Sequence, residues 1–114
     1  MRNIPIPVDT ARLTFVVVAA PRPRVLNQDT GEVKVDKQGQ TVFQVGLSAA
    51  EVDSGRVELI NVNTSGDPGV SVGQVVEPAG LVGFVWEQTR NGETRWGIAY
   101  RAASIVPVAV QAAA

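Results

Sequence analysis

The sequence predicts an all-β domain, and three observations predict it. Short runs rich in Val, Ile, Thr and aromatic residues alternate with clusters of Gly, Pro, Asn and Asp, the pattern of antiparallel strands and their turns. No stretch repeats apolar residues at i, i+3, i+4 and i+7 over three turns, so helix is not expected. The chain has 114 residues, 45% of them hydrophobic, which is enough for one core and too little for two. A single domain over residues 1–114 is therefore expected. Residues 1–11, with two prolines, are expected to lie along the surface as an arm, and residues 111–114 to form a frayed tail.

Five main strands follow from the alternation: residues 12–20, 41–48, 56–63, 80–88 and 94–102, the last running on through 105–110. The apolar run after Arg12 ends at Pro21 and is far shorter than the roughly 20 residues a membrane-crossing helix needs. A shorter strand, 32–35, is expected to pair back on 41–45 across Asp36-Lys37-Gln38-Gly39, which leaves residues 21–40 as an extended arm. The firmest local feature is Asn91-Gly92. Both residues tolerate positive φ and suit a two-residue type I′ turn. The turn fixes a register in which Arg90 faces Glu93, Gln88 faces Arg95, Trp86 faces Gly97, Phe84 faces Ala99 and Val82 faces Arg101. One face of this hairpin carries Val82, Phe84, Trp86, Gln88, Arg95 and Arg101. The other carries Leu81, Val85, Glu87, Trp96, Ile98 and Tyr100, and its apolar members suit a barrel interior. Each glycine then lies under an aromatic ring, Gly97 under Trp86 and Gly83 under Tyr100. Five short antiparallel strands with a long first connection predict a five-stranded antiparallel Greek-key barrel, OB-fold-like, with an extended β-arm. A β-sandwich is the competing architecture.

Composition narrows the function. The chain contains neither cysteine nor histidine. Disulfides, thiolate nucleophiles, Ser-His and Cys-His catalysis and the usual zinc ligands are thereby excluded. No nucleophile–base pair can be assembled, so an enzyme is not expected, nor is a cofactor or a small-molecule substrate. Asp9 with Thr10, or Glu51 with Asp53, could be read as acid groups for Mg²⁺, but isolated acids near loops are usually solvated and no metal site is assigned. The segment from Ser65 through Gly66, Asp67, Pro68, Gly69, Val70, Ser71 and Val72 to Gly73 lacks the GK[ST] of a phosphate loop and a following helix, and reads as a connector. The start of the chain lacks an apolar signal core, so a cytoplasmic location without membrane attachment is expected.

The remaining constellations are cationic and aromatic. Formal net charge is −1, against the basic balance of most nucleic-acid binders. The cations are nevertheless clustered in or beside the expected hairpins. Arg22 and Arg24 alternate with Pro21 and Pro23, which hold the backbone extended and suit a phosphate-tracking arm; the same residues also discourage edge-to-edge pairing. Lys34 and Lys37 occupy the expected arm tip. Phe43 beside them could stack on a base, although its alternation with Val45 and Leu47 directs it to the core. Phe84 and Trp86 with Arg95 and Arg101 combine flat rings and guanidinium groups, a mixture suited to bases and phosphates and also to a subunit interface.

Ile4-Pro5, Asp9-Thr10, Leu13, Phe15-Val16, the loop from Pro68 to Gly73, and the run Trp96-Gly97-Ile98-Ala99-Tyr100-Arg101-Ala102 with Ile105 resemble a small regulatory protein family of actinomycete integrative plasmids and conjugative elements. The same span is more loosely similar to the gene V single-stranded DNA-binding proteins of filamentous phages, homodimeric OB-folds with a DNA-binding arm. Lys37-Gln38-Gly39 with residues 41–47 would match the arm and its return strand, and Ile105-Val106-Pro107 the closing strand. The resemblance implies DNA contacts by Arg22, Arg24, Lys34 and Lys37, with the hairpin at residues 89–95 near a dimer axis. The expected function is therefore sequence-independent binding of single-stranded DNA by a homodimer, in replication or transfer of a mobile element or its regulation. A protein-interaction module of that machinery and a duplex-binding regulator that uses the arm as a β-ribbon are the alternatives.

Overall fold

The computed structural model describes residues 4–108. These residues form ten strands and no helix: β1 (Ile6–Pro7), β2 (Leu13–Pro23), β3 (Val25–Asn27), β4 (Glu32–Val33), β5 (Val42–Glu51), β6 (Val57–Ser65), β7 (Val75–Ala79), β8 (Val82–Arg90), β9 (Glu93–Arg101) and β10 (Ser104–Pro107). Eight strands make one curled, half-barrel sheet in the order β1-β8-β9-β6-β5-β2-β7-β10, and β3 and β4 make a separate ribbon. The five main strands expected from the alternation are β2, β5, β6, β8 and β9. β1, β3 and β7 are additional, and the expected run-on of the last strand is a separate strand, β10. The expected tail at 111–114, and residues 109–110 of the expected last strand, lie outside the described residues.

Period-2 alternation builds the core. Phe15 and Val17 of β2, Val45 and Leu47 of β5 and Val62 of β6 point to one side and are almost fully buried. Val76, Leu81, Ala102, Ile105 and the loop residue Val70 complete the cluster, with Leu13, Ala49, Ile60 and Tyr100 packed at its margin. β2, β5 and β6 form an antiparallel meander, and β6 then pairs in parallel with β9 at Val62–Tyr100 and Asn63–Arg101. After β9 the chain steps across through two alanines. The Ala102 N–H donates to the Asn63 carbonyl and the Ala103 N–H to the Ala79 carbonyl. β10 consequently lies antiparallel to β7, which itself pairs with β2 at Phe15–Val76 and Val16–Val75. That pairing ends at Val76, so Pro78 stands where β2 asks for no N–H and the proline is tolerated within the strand.

The arm differs from the expected one. Its tip is the turn between β3 and β4, where the Gly31 N–H donates to the Asn27 carbonyl and Asn27 Oδ1 accepts from the Asp29 N–H. Lys34 to Lys37 lie instead near the base, because Asp36 starts a second turn. Its Oδ1 accepts from the Gln38 and Gln40 N–H groups at 2.9 and 2.8 Å. The expected pairing of 32–35 with 41–45 is reduced to a bridge between Val35 and Thr41, while β4 pairs with β3.

The β8–β9 hairpin has the expected register at every pair from Val82–Arg101 to Arg90–Glu93, and Asn91 and Gly92 both have positive φ. A Cβ on Gly97 would meet the Trp86 indole at 2.6 Å, and one on Gly83 would meet Ile98 and Tyr100, so the rings cover the glycines. The expectation of an interior face holds only at the base. Leu81 and Tyr100 reach the core, but the hairpin outgrows the sheet, leaving Ile98 and Trp96 43% and 69% exposed.

Candidate functional site

The inward turn of Val45 and Val62 puts their neighbours Gln44 and Asn63 on the outer face of the sheet. Register then aligns a polar row across four strands. Arg22 of β2 pairs with Gln44 of β5, Gln44 with Asn63 of β6, and Asn63 with Arg101 of β9. Three strand spacings of ~4.8 Å give this row a length of about 14 Å. The Arg22 Nη2 donates to Gln44 Oε1 at 3.3 Å.

Beside the row lies a groove of about 830 Å³. The end of β6 (Asn63, Thr64, Ser65) floors it, the arm residues Arg24 and Lys34 through Gln38 overhang one side, and Val82, Phe84 and Arg101 form the other. Backbone hydrogen bonds fix the arm side. The Arg24 N–H donates to the Val42 carbonyl, the Lys34 N–H to the Arg24 carbonyl and the Val42 N–H to the Lys34 carbonyl, all at 2.8–2.9 Å. Hydrogen bonds from the Gln40 N–H and the Ser65 hydroxyl hold the Asp36 carboxyl below its ordinary range. Four cations (Arg24, Lys34, Lys37 and Arg101) thus face one carboxylate in the groove of a chain whose formal net charge is −1. The Arg101 guanidinium lies over the Phe84 ring, 4.8 Å from its centroid. Asn63 Oδ1 is buried without a hydrogen-bond partner among the described residues.

Of the residues singled out in the sequence, Arg24, Lys34, Lys37, Phe84 and Arg101 come together in this groove. Arg22 stands outside it, at the end of the polar row. Trp86 lies over Gly97, further out along the hairpin and 44% exposed. Arg95 lies in a small pocket at the hairpin tip with Gln88, Arg90, Asn91 and Glu93. Phe43, on the Val45 side of β5, is half-buried and does not line the groove. Asp53 is ion-paired with Arg12, and the Thr10 hydroxyl donates to Glu77. Among the described residues no three acidic, histidine or cysteine side chains gather as a metal-holding group. Sequence reasoning missed Asn63 and Ser65, because only the parallel β6–β9 pairing brings Asn63 beside Arg101 and no local pattern signals it. No protein-family model, curated protein or solved structure matches the chain.

Proposed function

We propose that the protein binds single-stranded DNA without strong sequence preference, along the groove between the arm and the base of the β8–β9 hairpin. The observation that carries this reading is the gathering of three further cations, Arg24, Lys34 and Lys37, in one groove with a partly exposed Phe84–Arg101 pair, in a chain with a net negative charge. Cations neutralise phosphates and release counterions, and stacking groups accept any base. We read the architecture as an OB-type Greek-key barrel in which β9 and β10 together act as the closing strand. The meander β2-β5-β6, the parallel step to β9 and the antiparallel return through β7 support it. A cytoplasmic, non-enzymatic role in the replication or transfer of a mobile element accords with the resemblance in the sequence.

A second reading, contact with another protein or a second copy, is favoured by one observation: Trp86, Trp96 and Ile98 are exposed on a projecting two-stranded hairpin. Trp86, Trp96 and Ile98 do not line the groove, so the readings are tested by different measurements. Fluorescence anisotropy of a labelled oligo-dT, at low and at roughly fivefold higher salt, tests the first. The double charge reversal Arg24→Glu/Lys34→Glu is expected to weaken binding at least tenfold while leaving the melting temperature unchanged. Equal affinity of the reversed and native proteins would refute the groove as the DNA site. Absence of binding by the native protein, together with a concentration-dependent change in mass, would favour the hairpin reading.

A further inference from the structure

An aromatic ring in the groove is already covered. The guanidinium of Arg101 sits over Phe84 at 4.8 Å from the centroid, inside the ~6 Å at which a cation is drawn to an aromatic face. Phe84 is half-buried, Arg101 is exposed, and both line the groove. The layer offered to an incoming base at this point is therefore the guanidinium, with the ring behind it. A guanidinium is planar, delocalised and weakly hydrated. It stacks on a base as an aromatic side chain does and keeps its charge. Register fixes its position, with Arg101 between Asn63 of β6 and Val82 of β8, and Phe84 one step further along the same face of β8.

From this geometry we infer that Arg101, backed by Phe84, is the platform on which a nucleobase of the single strand stacks. Phe84 is a positioning residue that holds the guanidinium flat, and Trp86 takes no part in this stack. The inference rests on the single-strand reading and names the group that the base touches.

Lysine separates the plane from the charge, because it keeps the second and lacks the first. Anisotropy titrations with labelled oligo-dT at two salt concentrations would compare the native protein with Arg101→Lys, Arg101→Ala and Phe84→Leu. Arg56→Ala, on the exposed β5–β6 turn at the opposite end of the strands, serves as the control. Arg101→Lys is expected to weaken binding roughly fivefold to a hundredfold, the span of one lost base stack, with the salt slope kept. Phe84→Leu falls in the same range, Arg101→Ala also has a shallower slope, and Arg56→Ala binds as the native protein does. Replacing the thymidines by abasic residues weakens the native protein and leaves Arg101→Lys nearly unaffected. Native-like affinity of Arg101→Lys would reduce Arg101 to a phosphate contact and overturn the inference. A loss confined to Phe84→Leu would move the base onto the ring and overturn it too. If the native protein does not bind oligo-dT, the single-strand reading falls with it; if it binds and Arg101→Lys is unaffected, only the stacking platform falls. Because Arg101 is exposed, its lysine variant is expected to fold normally, as circular dichroism would verify.

Discussion

Gly46 marks a close approach of two strands in the sheet. β2 bulges between Val17 and Ala19 and again between Ala19 and Arg22, and the first bulge presses Ala19 onto β5. A Cβ on Gly46 would lie 2.7 Å from the Cβ of Ala19, so backbone would have to move. Gly46→Ala is expected to cost about 1–3 kcal/mol, the usual penalty of overpacking, read as a lower urea midpoint; an unchanged midpoint would mean the bulge yields freely. Nothing in the sequence around Gly46 announces this, because the bulge belongs to its partner strand. Gly97 is the contrasting case. Its cover by Trp86 follows from the Asn91-Gly92 turn alone, since a two-residue turn dictates every pair below it. Arg101 combines both situations: its place opposite Val82 was legible, but its place beside Asn63 was not.

Among the elements, β8 and β9 were legible because their pairing is local, and β7 was not. Pro78 interrupts an otherwise strand-like Val75-Val76, and only the early end of the β2 pairing makes the proline acceptable. The arm and its turn across Asp36 to Gly39 were legible, but the β3–β4 turn that forms the tip was not, nor was the Asp36 carboxylate's partner Ser65, which is distant in sequence. The turn at Asp36 has a defined acid sensitivity. The Asp36 carboxyl titrates below its ordinary value of 3.8 in the folded protein, chiefly through the Gln40 N–H and then the Ser65 hydroxyl. A depressed folded value means that the stabilisation is complete above the unfolded value and is lost as pH falls through the folded one. The loop is therefore expected to hold unchanged across neutral pH and to loosen only below about pH 3.8. A carboxyl NMR titration that puts Asp36 at or above that value would contradict the hydrogen-bonded turn.

At the scale of the whole molecule, the sheet ends on its last strand, β10. β10 covers the free edge of β7, and Ala102 and Ile105 are buried in the core. Truncation after Arg101 would keep the hairpin turn but remove both residues and expose that edge. The truncated chain is expected to lose cooperative thermal unfolding and to bind a hydrophobic dye; a sharp native-like transition would show that β10 is dispensable. The charge pattern, too, acquires meaning only at this scale, since a nearly neutral composition conceals cations gathered from the arm and from β9. The step at Ala102–Ala103 carries a consequence for synthesis. The groove's floor comes from β6 and one wall from β8 and β9, whose lower ends are set by bonds to Ala102 and Ala103, which a ribosome makes after all three strands. Long-range closure of this kind is slow and comes late. A nascent chain therefore has no assembled groove with which to capture nucleic acid until Ala102 and Ala103 have been made and have cleared the exit tunnel.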